Sequence, residues 1–281
     1  MLTCYVCSDR PPPHGGRTTG DDMRLDDRRQ QILDLLVERG SVSLEELATR
    51  FDVSKMTVHR DLDELERSGN LRKVRGGATI ESSAQFESDF RFRERRAASE
   101  KQLIARAAAE FIEPGMSVIL DDSSTASLIA PLLAEKRPLT VITNGLATIT
   151  LLAPHYGITL IALGGSYAHK FNGFTGLVTE RALADLRADV AFLSSSGIDG
   201  LRAFHQDQEI VRVKARMFAS ARQRYLLSDN AKFGRTALHF LANLVDFDAV
   251  ITGADLAVET VSTLRAAGVR LTLATNTAPS G

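Results

Sequence analysis

From residue 32 to residue 65 apolar positions recur at helical spacing, and beyond residue 118 they gather instead into short runs. The two periods predict two kinds of structure. In the first stretch Ile32, Leu33, Leu36 and Val37 form one face of a helix that runs to about Arg39, where Gly40 stops it. Ser43 with Glu46 after it reads as a capping box opening a short helix from Leu44 to Phe51. Asp52-Val53 turns the chain, and Ser54 is placed to cap the next helix. Val58, Leu62 and Leu65 give that helix an apolar back. At about 100° per residue, Met56 and Arg60 point away from it, with Lys55, Thr57 and His59 on the flanks. Helix, short helix, tight turn, helix is the order of a helix-turn-helix. Past Gly69-Asn70, the cations Arg72, Lys73 and Arg75 followed by Gly76-Gly77 suggest a β-wing.

In the second stretch, apolar runs alternate with helical patterns. An Ala-rich helix is expected from Ser99 to Ile112, ended by Pro114-Gly115, and another from Thr125 to Glu135. Strands are expected at 118–120, 139–142, 159–163, 190–193, 225–227, 249–251 and 269–273, with further helices from Leu146 and from Gln208 to Ala221. This alternation predicts an α/β fold: a mostly parallel sheet covered on both faces. The resulting division is an extension over residues 1–22, a DNA-binding domain at 24–80, a linker at 81–98 and an α/β domain at 99–275.

Composition changes this picture little. The 281 residues are 44% hydrophobic and 25% charged with net charge −1, as in a soluble globular protein. Apolar runs are too short to span a membrane, and residues 1–22 lack the apolar core of a secretory signal, so a cytoplasmic location is expected. Cys4 and Cys7 are the only cysteines, with no second ligand pair and a Pro-Gly-rich tail after them. Neither a metal site nor a cofactor is expected, and a disordered extension is the reading for residues 1–22. Met23, directly before the first helix, is a candidate start. Residues 24–80 carry eleven Lys/Arg against eleven Asp/Glu. Net charge therefore does not mark a nucleic-acid binder. Placement does: cations stand at the start of the Ser54 helix and in the wing, while acids lie behind. The DNA-reading candidates are Ser54, Lys55, Met56, Thr57, His59, Arg60, Arg72, Lys73 and Arg75. Arg suits guanine, and Lys and Thr suit phosphate. A three-helix domain with a solvated charged face is the plain alternative.

In the α/β half, candidate chemistry sits where strands end, as open α/β sheets require. Asp121, Ser123, Ser124 and Thr125 enter a helix and could form an anion site. Thr143 and Asn144 follow the second strand, and Gly164-Gly165, which admit close backbone approach, follow the third. Asp207, Glu209, Lys214 and Lys232 come later. Cation and amides for phosphate, with carboxylates for hydroxyls, suit a phosphorylated polyol.

Arg29, Leu33, Val37, Ser54-x-x-Thr57-Val58-His59-Arg60-Asp61-Leu62, Gly69 and Arg75-Gly76-Gly77-Ala78 resemble the winged helix-turn-helix of the DeoR family of bacterial transcription regulators. His59 departs from it, since that family more often has Arg there. Asp121 with Ser124-Thr125, Thr143-Asn144, Gly164-Gly165, Gly176, Gly197-Ile198-Asp199, Asp207-x-Glu209 with Lys214, and Lys232-Phe233-Gly234 resemble the same family's sensor domain. The resemblance implies a fold similar to ribose-5-phosphate isomerase and CoA-transferases. It also implies sugar phosphates as inducers, and a repressor of a sugar-catabolism operon released by them. An active sugar-phosphate isomerase is the competing class, with Asp121, Glu209, Lys214, Lys232 and His205 as candidate groups. A sensor explains the DNA domain better, so no catalytic residues are expected. A purely structural nucleoid protein would leave the ligand-like loops unexplained. One recognition helix covers too few base pairs for genomic specificity, so a homo-oligomer, dimer or tetramer, is expected on double-stranded operator DNA.

Overall fold

The computed structural model describes residues 20–68, 70–79 and 89–275. The chain divides into two compact units between Glu81 and Ser82. Most of the extension expected at 1–22, with Cys4 and Cys7, lies outside the described residues, as do Gly69 and residues 81–88 of the expected linker.

In the first unit, α1 (Gly20–Arg39) is followed by β1 (Ser41–Ser43), α2 (Leu44–Phe51), α3 (Lys55–Arg67), β2 (Arg72–Val74) and β3 (Gly77–Thr79). The first helix begins before Met23, so residues 20–22 belong to it and not to an extension. Ile32, Leu35 and Leu36 are its buried face, with Leu33 only half-buried. They pack with Leu47, Val58, Leu62 and Leu65, the predicted backs of α2 and α3. Ser43 Oγ accepts from the Glu46 N–H at 3.1 Å. The return half of the capping box is not made, because the Glu46 carboxylate pairs with Arg39 instead. Asp52 ends α2 at φ 50°, and Ser54 Oγ accepts from the Thr57 N–H at 3.1 Å to start α3. The wing is antiparallel in the order β1-β3-β2. Gly76 turns it at φ 84°, and a Cβ on Gly77 would stand 2.1 Å from the Val42 carbonyl oxygen.

Asp61, expected among acids on the far side, is buried at 1% exposure. Its carboxylate accepts from Arg28 Nε at 2.7 Å and Arg29 Nε at 3.2 Å. Two guanidiniums thus tie the recognition helix to α1.

The second unit opens on α4 (Phe90–Arg95) and α5 (Ala98–Ala109). This corrects the linker reading for residues 89–98: the Phe90 N–H donates to the Lys170 carbonyl at 2.8 Å, and the Phe90 side chain is buried. Next come β4 (Ser117–Leu120), a 3₁₀ segment (Ala126–Glu135), β5 (Leu139–Thr143), α6 (Leu146–Leu152), β6 (Ile158–Ala162) and a hairpin of β7 (Ser166–Ala168) and β8 (Gly173–Thr175). The helix expected over 125–135 is wound as 3₁₀ and carries Pro131 inside it, where proline disfavours a regular α-helix. Then follow α7 (Leu177–Ala184), β9 (Ala188–Ser194), β10 (Gly197–Asp199), β11 (Arg202–His205), α8 (Gln208–Ser220), β12 (Ala221–Ser228), β13 (His239–Asn243), β14 (Ala249–Gly253), α9 (Val258–Ala266) and β15 (Leu271–Ala274).

The main sheet runs β15-β14-β12-β9-β4-β5-β6, parallel throughout. Alternate side chains build a core on each face. Val118, Leu120, Val190 and Phe192 pack with α5 and the 3₁₀ segment; Ile119, Ala191 and Leu193 pack with α7, α8 and α9. A small antiparallel sheet, β10-β11-β13, was not foreseen. The strand order reverses between β4, first in the chain, and β9, its later neighbour. Loops leaving those two strands diverge to opposite faces and open a crevice.

Candidate functional site

The face expected to read DNA in the first unit is α3 and the wing. Ser54, Lys55, Met56, His59, Arg60, Arg72 and Arg75 are exposed, Met56 at 63%. Thr57 is half-buried, and its Oγ1 shares a 2.9 Å hydrogen bond with Ser54 Oγ. Two of the cations are already held: Lys55 by Glu45 at 3.1 Å and Lys73 by Asp63. The hydrogen bond from Lys73 is the main reason the Asp63 carboxyl sits below its usual range. Alanine at Arg60 is expected to relax base specificity at one position, costing about 1–3 kcal/mol on operator DNA. Alanine at Lys73 is expected to weaken all sequences alike and lower the salt slope by about one, because a phosphate contact carries no sequence information. Fluorescence anisotropy on operator and random duplexes across a salt series separates the two; equal losses for Arg60→Ala would end its assignment to a base.

In the second unit the crevice narrows to a small cavity of about 30 Å³ that opens to solvent. Ser123 and Ser124 line it from the loop after β4, and Ser195 and Ser196 from the loop after β9. Arg93 reaches it from α4, Arg96 from the residue after that helix, Lys101 from α5, and Lys232 and Arg235 from the segment after β12. Among the described residues these five basic side chains share the lining with one carboxylate, Asp229. Such an arrangement selects anions.

Local structure sets each group. Ser123 Oγ accepts from the Ala126 N–H at 3.0 Å and caps the 3₁₀ segment. Lys101, 2% exposed, donates to Ser124 Oγ at 3.1 Å and to the Arg93 carbonyl. Burial, with Lys232, Arg93 and Arg96 nearby, pushes its ammonium down to about 7. Lys232 donates to Ser194 Oγ at 2.7 Å, and burial lowers it too. Arg93 Nε and Nη2 are buried and reach no hydrogen-bond acceptor. Ser195 Oγ and Thr125 Oγ1 are likewise buried and without partners. Buried donors are nearly always satisfied in native proteins, so a guanidinium left open beside a cavity points to an absent acceptor.

Several expected residues stand elsewhere. The Asp121 carboxylate is fully engaged, accepting from the Ser123 and Ser194 N–H groups at 3.0 and 2.7 Å and from Lys214. Asp122 Oδ1 lies 3.2 Å from the same Lys214 Nζ, at an angle too poor for a hydrogen bond. Burial alone would lower Lys214; the charges of Asp121 and Asp122 outweigh it and hold the ammonium above its usual range. Thr143 Oγ1 accepts from the Gly145 N–H at 3.0 Å. Asn144 donates to the Phe174 carbonyl at 3.0 Å, while its Oδ1 is buried and unpaired. Gly164 and Gly165 follow β6, the sheet edge two strands from β4. A Cβ on Gly165 would meet Thr179 Oγ1 at 2.3 Å, so the close approach there is to the protein itself. Asp207 caps α8, accepting from the Glu209 and Ile210 N–H groups at 2.9 and 3.1 Å. Glu209 pairs with Arg212 at 3.0 Å. None of these lines the cavity. Among the described residues no cluster of His, Cys, Asp and Glu could hold a metal ion.

The sequence reading missed Arg93, Arg96, Lys101, Ser195, Ser196, Asp229 and Arg235. The serines after β9 were readable from the switch-point rule. The α4 cations were hidden in an apparent linker.

Two family models match the chain: a DeoR-like helix-turn-helix domain over residues 28–84 and a DeoR C-terminal sensor domain over residues 96–254. The chain belongs to the DeoR family. It is therefore a DNA-binding transcriptional regulator with a sensor domain. An uncharacterized HTH-type transcriptional regulator, YgbI of Escherichia coli (strain K12), is 33% identical over 80% of this chain and 89% of its own. The glycerol-3-phosphate regulon repressor of the same organism is 31% identical over 89% of this chain and 100% of its own. A solved D-ribose-5-phosphate isomerase in complex with phospho-erythronic acid overlaps 48% of this chain and 54% of its own at 20% identity and TM-score 0.37. At that score the overlap says nothing about chemistry. No helix among the described residues is long and apolar enough to cross a membrane.

Proposed function

We propose that this DeoR-family protein represses a sugar-utilisation operon and releases its operator when a phosphorylated sugar enters the switch-point cavity. One observation carries the reading: five basic side chains line that cavity, and one of them, Arg93, has two buried donors with no acceptor. A phosphate monoester supplies the missing oxygens and the opposite charge. The kinship with a glycerol-3-phosphate regulon repressor supports both the class of ligand and the sign of control.

The phosphate is the dominant handle, and a sugar hydroxyl reaches the unpaired Ser195 Oγ in the cavity wall. Asp207 and Glu209 play no part in that contact, since one caps a helix and the other pairs with Arg212. Sensing rather than isomerisation is the reading that the pairing of Asp121 with Lys214 supports, since each engages the other instead of facing the cavity. Calorimetry with matched sugars and sugar phosphates tests this. The phosphorylated compound is expected to bind far more tightly, and equal affinities would defeat the reading.

The active form on DNA is a dimer or higher oligomer in which two recognition helices read a pseudo-palindrome. Footprinting is expected to show paired half-sites about one or more helical turns apart; protection of a single half-site would contradict it.

A further inference from the structure

We propose that effector binding to this regulator is proton-linked: the incoming phosphate draws one proton from solvent onto Lys101, so the effector is held more tightly at low pH than at high pH. The inference rests on reading the switch-point cavity as a phosphate site.

The geometry at Lys101 carries it. The side chain is 2% exposed, and its Nζ meets two acceptors, Ser124 Oγ and the Arg93 carbonyl. Both are neutral. A neutral amine has two N–H groups, which these two acceptors satisfy. An ammonium has a third, and no further acceptor is bonded to Nζ among the described residues.

The surrounding charges favour the same state. Arg93 of α4, Arg96 just after it, and Lys232 from the segment after β12 act on the lysine, and Asp229 opposes them. From the loop after β4, Asp121 and Asp122 act on Arg93, and Asp121 on Lys232, while Ser124 offers Lys101 a neutral hydroxyl. On its own helix, Glu100 is turned away, accepting from the Asn230 N–H at 2.8 Å. Basic neighbours, in a place with little water, disfavour a positive charge on Lys101. That lysine is accordingly pushed down to about 7.

Phosphate reverses the balance. A monoester is close to a dianion above about pH 7. Placed in the cavity it supplies an oxygen for the third N–H and two negative charges for the cluster. The lysine takes up a proton, its Nζ becoming an ammonium, and the buffer loses one. The result is a regulator whose sensitivity to its effector depends on pH in the neutral range. Between the midpoint of Lys101 in the free protein and its higher midpoint in the complex, affinity falls by up to about tenfold per pH unit, the slope of a one-proton linkage, and above both it levels off.

The test follows the lysine itself. Full-length protein carrying ¹³C-labelled lysine is titrated from pH 6 to pH 10, with and without inorganic phosphate, the handle common to every monoester. The Lys101 signal is identified by its loss in Lys101→Arg, or in Lys101→Met if the arginine variant does not fold. Calorimetry on the same samples establishes that phosphate is bound. The expected result is a midpoint near 7 in the free protein that rises by about two units on binding. A Lys101 that titrates as an ordinary lysine in the free protein overturns the proposal. So does one that stays near 7 with phosphate bound. Absence of any phosphate binding would overturn the cavity reading instead, and the proposal with it, and calorimetry tells that failure from the other two.

Discussion

Alanine at Arg93 is expected to weaken effector binding by more than about a hundredfold while leaving operator affinity in the absence of effector unchanged. Arg93 lines the cavity, and its Nε and Nη2 are buried without an acceptor. Hydrogen bonds to charged groups contribute about 1.5–3 kcal/mol each, and each 1.4 kcal/mol is about a factor of ten in affinity. Two such bonds to phosphate therefore account for the expected loss. The α4 backbone keeps its ties, since the Lys101 ammonium or amine bonds the Arg93 carbonyl and not its side chain. Lysine at the position keeps the charge but loses the fork, so it should recover only part of the affinity. The measurement is calorimetry with the phosphorylated sugar, paired with an operator mobility shift. Wild-type affinity in Arg93→Ala would remove the guanidinium from the site.

Asparagine at Asp121 is expected to act on stability, and strongly. Asp121 and Lys214 are exposed at 0% and 1%, and their ion pair lies beneath the sheet's carboxyl edge. Removing one charge leaves the other buried with only Asp122, 3.2 Å away and poorly aligned. Breaking a buried pair in this way costs about 3–5 kcal/mol. For a unit of this size that is a fall in Tm of about 10 °C. The double variant Asp121→Asn with Lys214→Met should recover part of the loss, because no orphaned ammonium remains. Urea unfolding of the three proteins measures this. A loss below about 1 kcal/mol for the single variant would mean that Asp121 is not the structural partner of Lys214.

What was legible in the chain follows from distance along it. The first unit is specified by signals a few residues apart: Ser43 with Glu46, Ser54 with Thr57, and Val58, Leu62 and Leu65 on one stripe. The strands announced themselves because a parallel sheet buried on both faces leaves continuous apolar runs. The cavity was half legible. Ser123, Ser124 and Lys232 were expected because they follow strands. Lys101 was not, because its partner Ser124 is 23 residues away and nothing local marks it. Arg93 was lost in a polar stretch whose helix is held by a hydrogen bond to Lys170. Asp207-x-Glu209 misled for a related reason: an acidic residue at a helix start fits a cap as well as a ligand, and only the long-range geometry separates them. Asp61 shows the same limit, since a carboxylate on a charged helix looks solvated until two arginines from α1 are seen on it.

The ion pairs on the reading face bear on how the regulator finds its site. With Lys55 held by Glu45 and Lys73 by Asp63, part of the cationic surface is spoken for before any duplex arrives. Random DNA, offering only phosphates, would have to compete with those carboxylates. If Arg60, exposed and without an ion pair among the described residues, reads a base as proposed, an operator adds a contact that random DNA lacks. Genomic competitors number about 10⁶–10⁹ sites, and every copy parked on them is lost to control. Neutralising Glu45 and Asp63 together is therefore expected to strengthen binding to random duplex more than to operator.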